Sequence, residues 1–180
     1  IKVPPIKRSA GATILHDIVE GLLFTKRNTI FLVLLGMTFI NGFFGVSYMW
    51  LMPVFAEEYF EVDVRGFGLL MSASGIGGLA GVLTVASFGS SLNRSWILIG
   101  GAFLFGATVI TFAATSAMFG IFILGLFLVL LGGFFTSMYQ VVVGTTLNLL
   151  VPDEFRGRVM GLQAIAWSLA PLGSLQAGAI

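Results

Sequence analysis

Charge is confined to a few short stretches of this chain, and the apolar runs between them set its architecture. No Asp, Glu, Lys, Arg or His occurs from Met118 to Leu150, nor from Val159 to Ile180. Between these runs lies Val151–Leu162, where Asp153, Glu154, Arg156 and Arg158 crowd together. A charged hinge between two uncharged apolar rods is the form a membrane hairpin takes at the water's edge, because in lipid each backbone polar group must be satisfied inside its own helix. Three earlier runs, about Thr29–Ala56, Gly66–Ser90 and Trp96–Ala114, bring the expectation to about five transmembrane helices in an all-α membrane fold. The first exceeds the ~20 residues needed to cross, so it is expected to tilt or project. The fourth, about Met118–Leu150, is expected to emerge into water or to bend near Gly132-Gly133 or Gly144.

The segments outside the spans divide by charge. Residues Ile1–Ser9 carry Lys2, Lys7 and Arg8 and read as the end of a linker. Gly11–Asn28 has Ile14, Leu15, Ile18, Val19, Leu22 and Leu23 at helical spacing, which predicts an amphipathic helix lying in the membrane interface. Residues 1–28 are therefore set apart from the bundle of 29–180. Glu57–Arg65 is an acidic loop, Ser91–Ser95 a tight turn, and Thr115–Ala117 a minimal turn without charge. With the N-terminus cytoplasmic, eight of the nine basic residues fall on one side and only Arg65 on the other, as the positive-inside bias requires. The hinge is then cytoplasmic too. The chain opens without Met and stops within an apolar run, so a fragment is expected.

Composition narrows the chemistry. The chain is 57% hydrophobic and 9% charged, whereas a soluble domain carries about 25% charged residues. Its partner is the lipid bilayer, and nothing points to nucleic acid. Cysteine is absent and the one histidine, His16, lies outside the apolar runs. No thiolate nucleophile, intramembrane metal cluster or nucleophile–base pair is available, so neither an enzyme nor a cofactor is expected. The second run carries Gly75-Ile76-Gly77-Gly78-Leu79-Ala80-Gly81. Gly77 and Gly81 form a GxxxG pair, which lets helix backbones approach closely.

The hinge Pro152-Asp153-Glu154-Phe155-Arg156-Gly157-Arg158-Val159-Met160-Gly161-Leu162 resembles the cytoplasmic hinge of the major facilitator superfamily. Together with Tyr59-Phe60-Glu61-Val62-Asp63 and Gly68–Gly75, it is most similar to the branch of bacterial exporters that includes enterobactin and macrolide efflux proteins. The resemblance implies that the spans are helices 7–11 of a twelve-helix transporter of the bacterial inner membrane. It also implies a further six-helix half of the same polypeptide as partner and a small-molecule substrate. Ala170-Pro171-Leu172-Gly173, with Gly178, resembles the second-half echo of an exporter Gly-Pro motif. The turn Phe88–Arg94 departs from the family's Gly-Asp-Arg-Gly-Arg gating pattern, so no gate is assigned there.

Carried over by position, the resemblance makes Asn41, Tyr48, Tyr139, Gln140, Gln163 and Trp167 candidates for a substrate cavity; the alternative is that they hydrogen-bond neighbouring helices. Asp153, Glu154, Arg156 and Arg158 are candidates for a cytoplasmic gate, or else serve topology and helix capping. Gly157 and Gly161 are expected to permit close packing at that gate, and Pro171 to loosen its helix. The function implied is export of amphipathic solutes by alternating access coupled to protons, with an importer or a non-transporting scaffold as alternatives.

Overall fold

The structure, a computed structural model, describes residues 14–45, 47–89, 93–168 and 173, and all the regular structure among them is helical. Helix α1 spans Ile14–Arg27. Its end is made by Asn28, whose side-chain amide donates to the Phe24 carbonyl at 3.0 Å, while Lys26 and Arg27 complement the negative end of the helix dipole. After this single extended residue the chain enters the first apolar span.

That span is not one regular helix. Helix α2 (Thr29–Ile40) runs into a π-helical turn, Asn41–Gly45, then a 3-10 segment, Ser47–Leu51. The short α3 (Met52–Val54) and a second π turn, Phe55–Tyr59, complete it. Wide and tight turns in one helix are local departures that commonly mark functional sites or hinges.

Helix α4 (Val64–Phe88) begins where the Asp63 carboxylate accepts from the backbone N–H groups of Arg65 and Gly66, both at 3.1 Å, an acidic N-cap. Helix α5 (Arg94–Phe119) is capped in the same way by Asn93, which accepts from the Ser95 N–H. Its C-terminus differs from the sequence expectation. Thr115-Ser116-Ala117 lies inside the helix, with the Thr115 hydroxyl donating to the Thr111 carbonyl, and the turn falls at Gly120-Ile121. Gly120 holds φ 57°, the left-handed stop that glycine adopts at no steric cost. Small residues are compatible with a helix interior, where the Thr115 hydroxyl is bonded within its own helix and the Ser116 side chain is buried.

Helix α6 (Phe122–Leu150) is the longest, and α7 (Asp153–Ser168) follows after the extended Val151 and Pro152. The charged residues 153–158 thus form the first turns of α7 and are not a loop before a helix at Val159. The remainder of the expected fifth span, Pro171 included, lies outside the described residues apart from Gly173. Four helices among the described residues are long and apolar enough to cross a membrane: Thr29–Tyr59, Val64–Phe88, Arg94–Phe119 and Phe122–Leu150. Trp96, Phe103, Ile110 and Ile123 turn outward from them, as side chains facing hydrocarbon do.

The bundle is centred on α6. On one side α4 lies against it, backbone on backbone. A Cβ built on Gly77 would overlap the Leu130 carbonyl, one on Gly81 the Phe134 carbonyl, and one on Gly133 the Ser74 carbonyl. The GxxxG pair therefore does what its spacing predicts, and Gly133 answers it from the partner helix. α5 packs on the face of α6 opposite α4, where Gly101 approaches Phe135 and Tyr139 and Gly132 approaches Thr108, while α7 meets α1 and α2.

Two apolar clusters fill the interior. One, near the α2 and α7 starts, joins Phe31, Leu34, Tyr139, Val143, Leu147, Val151 and Val159. The other, at the acidic loop, joins Met52, Ala56, Phe60, Leu70, Phe112, Leu128 and Val129.

Candidate functional site

The side chain of Tyr139 is the largest fully buried one, and its hydroxyl makes no hydrogen bond of sound geometry although it faces Thr38. The Thr38 hydroxyl is committed to the Leu34 carbonyl at 2.8 Å. Beside them opens a cavity of about 140 Å³ lined by Thr38 from α2, Tyr139, Gln140 and Val143 from α6, and Gln163 and Trp167 from α7. Its depth follows from helix rise. Thr38 lies nine residues into α2, Tyr139 eleven before the end of α6 and Gln163 ten into α7. At ~1.5 Å per residue these positions are about 13.5, 16.5 and 15 Å from helix ends on the same side of the bundle, so the three meet at one level.

The lining is uncharged but polar. The Gln140 amide reaches the Thr136 hydroxyl only at 3.4 Å, a weak bond that leaves it able to serve another partner. Two carboxamides, a phenol, a hydroxyl and an indole thus converge on an otherwise apolar seam. Such a set can hydrogen-bond and stack on a neutral or partly apolar solute. Among the described residues no group of His, Cys, Asp and Glu could hold a metal ion.

Four of the six cavity residues expected from sequence meet here: Tyr139, Gln140, Gln163 and Trp167. The other two do not. Asn41 opens the first π turn, and its side chain and the Phe105 ring both close on Gly45. Tyr48 packs against Phe105 and Phe112 at 6.1 and 6.3 Å between ring centroids, its hydroxyl directed at Gly132. At their spacing of three or four residues, Asn41, Gly45 and Tyr48 share a face that turns towards α5, away from the cavity. Thr38 and Val143 were missed by sequence reading. Thr38 lies three residues before Asn41, and nothing in a run of apolar residues distinguishes a threonine facing a cavity from one bonded only to its own helix.

The gate candidates separate likewise. Arg156 pairs with Asp153 of its own helix at 2.8 Å, in water, and its guanidinium also donates to the Asn148 carbonyl at the end of α6. An exposed pair of this kind is worth ~0.2–1 kcal/mol, and it joins no separate elements beyond the α6–α7 corner. Arg158 reaches across to Glu20 of α1 at 3.1 Å. Below that pair, Phe155 stacks on Phe24 at 4.2 Å, nearly parallel. Glu20 is the residue the sequence did not single out; a carboxylate half-way along a helix that ends in Lys26 and Arg27 was the available signal. Glu154 belongs to the first turn of α7, and its side chain is not among those described.

The packing glycines also divide. Gly173 is buried where a Cβ would overlap the Phe43 carbonyl and the Ser47 hydroxyl, at the junction between the π and 3-10 turns. Gly157 and Gly161 are exposed, with no atom within 4 Å of the position a Cβ would take. Close packing through these two does not occur within the described residues, because α7 turns Val159, Leu162 and Ala166 inward instead.

A second concavity, about 370 Å³, lies at the acidic end between Pro53, Glu57, Val62, Asp63 and Phe67. Its Asp63 is already spent as the α4 cap.

No curated protein and no solved structure matches the chain. The sequence profile described as Major Facilitator Superfamily matches residues 32–180, from the second turn of α2 through the cavity-bearing helices to the last residue. A helical membrane bundle whose sequence follows that profile over so much of its length belongs to the Major Facilitator Superfamily.

Proposed function

We propose that this chain is most of the C-terminal half of a secondary transporter that exports amphipathic small molecules from bacteria across the inner membrane. In this reading the five apolar segments are helices 7–11 of twelve, and the N-terminus and the α6–α7 corner are cytoplasmic. Superfamily membership supports transport in general. The observation that carries the finer reading is the polar, uncharged cavity between α2, α6 and α7. A lining of amides and aromatic rings suits a large, partly apolar solute better than a small ion.

The mechanism is alternating access, in which this bundle rocks against a second six-helix half around the midplane site. The irregular first span supports such motion, since its π and 3-10 turns lie beside the cavity helix α2. Coupling is to the proton gradient. The apolar spans contain no Asp, Glu, Lys, Arg or His, so a titratable coupling group would be supplied by the other half. Arg156 and Arg158 are the cytoplasmic gate: replacing both with Ala is expected to cripple transport while expression stays normal, and unchanged transport would reduce them to topology markers.

A scaffold role has one observation in its favour, the dry packing of Asn41 and Tyr48. The test is accumulation of dyes, macrolides and siderophores in efflux-deficient bacteria that express the full-length polypeptide, with and without a protonophore. Lower accumulation that the protonophore abolishes supports gradient-driven export. Higher accumulation indicates import, and no change for any solute favours the scaffold.

A further inference from the structure

Helix α1 docks on the bundle with its small edge and leaves its apolar stripe uncovered. Gly21, Thr25 and Phe24 meet α7. A Cβ on Gly21 would lie 3.2 Å from the Arg158 side chain and 3.3 Å from that of Leu162. Thr25 is buried, and Phe24 stacks on Phe155. The Glu20–Arg158 ion pair closes the same edge at 3.1 Å. On the opposite side Val19, Leu22 and Leu23 remain 53%, 53% and 52% exposed, and Lys26 and Arg27 are exposed beside them. These are residues of the very stripe whose helical spacing marks α1 as amphipathic, and the bundle does not use them.

Two features select what covers that stripe. The first is charge. Residues 1–28 carry five basic side chains (Lys2, Lys7, Arg8, Lys26, Arg27) against two acidic ones (Asp17, Glu20), and Glu20 is engaged with Arg158. The second is continuity. One residue after α1 the chain enters a membrane span whose Ile30, Leu32 and Val33 are themselves exposed and apolar. The stripe therefore stands at the mouth of a transmembrane helix, at the depth of the headgroups.

We propose that the Val19–Leu22–Leu23 face of α1 is a docking surface for an anionic lipid leaflet. The three apolar side chains sit at the boundary between headgroups and acyl chains, and Lys26 and Arg27 pair with headgroup phosphates. Since α1 is fastened to α7 through Arg158 and Phe155, a leaflet that holds α1 also holds the start of α7. Lipid charge thereby acts on the helix that carries Gln163 and Trp167. The proposal concerns where α1 lies and does not depend on what, if anything, is transported.

The test uses the full-length polypeptide in vesicles of phosphatidylcholine, with or without phosphatidylglycerol. This chain has no cysteine, so Leu23→Cys, with any cysteine elsewhere replaced, carries a single nitroxide label. Collisions with oxygen, which concentrates in lipid, are compared with those of a water-soluble nickel chelate. The expected result is an oxygen-dominated label that moves deeper when phosphatidylglycerol is present. Lys26→Ala with Arg27→Ala should abolish that shift and leave the depth in phosphatidylcholine unchanged. A nickel-dominated label would mean that the stripe faces water, and a label shielded from both reagents would mean that protein covers it. Either result overturns the proposal, as does a depth that ignores phosphatidylglycerol. Val19→Cys and Leu22→Cys, at equally exposed positions, repeat the measurement should Leu23→Cys not fold.

Discussion

Helix α6 presents two seams built on opposite principles. Towards α4 it offers Gly133 and bare backbone, and α4 answers with Gly77 and Gly81, so that carbonyls sit where side chains would otherwise be. Towards α2 and α7 it offers Tyr139 and Gln140, and the three helices stand far enough apart to leave about 140 Å³ with polar walls. The first seam has one register, because any slide of a helix places a side chain against a carbonyl. The second is filled by long side chains with several rotamers and by incompletely used hydrogen-bonding groups. One helix thus joins a rigid body to a variable site. The alternating access proposed above would use that combination, a unit that moves whole around contents that change.

The comparison breaks most visibly at the rigid seam. Gly77→Leu or Gly133→Leu should remove most of the folded protein, read as loss of the monodisperse peak on size exclusion. Even Gly77→Ala should lower the melting temperature. Its gain in helix propensity, ~1 kcal/mol, is outweighed by overlap with the Leu130 carbonyl, for which overpacking costs of ~1–3 kcal/mol are a lower guide because backbone cannot rotate away.

At the variable seam the expected effect shifts from folding to function. Gln140→Ala combined with Gln163→Ala should reduce transport about tenfold, as two lost hydrogen bonds of ~0.5–1.5 kcal/mol each imply, while the size-exclusion profile is unchanged. Equal loss of folded protein in this pair and in Gly77→Leu would erase the distinction between the seams. Smaller again is the effect at the dry aromatic face. Tyr48→Phe should alter transport less than twofold, since its hydroxyl points at Gly132 and not into the cavity. The smallest belongs to Gly157→Ala and Gly161→Ala, where open space surrounds the added methyl. Melting should hold or rise by the equivalent of up to ~1 kcal/mol each. A transport loss with intact folding would indicate that this face meets another part of the polypeptide.

How far the sequence foretold this depends on what each feature rests upon. The spans were legible because lipid imposes one rule on every residue within it, and the charge-free runs obey that rule directly. Gly77 and Gly81 were legible because close approach needs small residues at fixed spacing. The α5 terminus was not: Thr115-Ser116-Ala117 looks like a turn, yet the true stop is a left-handed glycine three residues beyond Ala117, and a threonine that bonds its own helix carries no outward sign. Four of the six residues that line the cavity were legible as amides and aromatics on α6 and α7. Asn41 and Tyr48 failed because the π turn and its neighbours decide which face meets α5, and a one-dimensional pattern with a fixed period cannot register that. Glu20 was missed because its partner, Arg158, lies far along the chain and only the folded bundle brings them to 3.1 Å.

Whether the proposed solute site in the seam between α2, α6 and α7 is reached by water can be read from cysteine accessibility. Gln163→Cys, as the single cysteine of the full-length polypeptide, would be exposed to a charged thiosulfonate reagent in sealed vesicles, with Val129→Cys in the dry cluster as reference. For a solute site, Gln163→Cys is expected to label, a transported solute to slow that labelling, and Val129→Cys to stay unlabelled. A Gln163→Cys as inert as Val129→Cys, with or without solute, would contradict it.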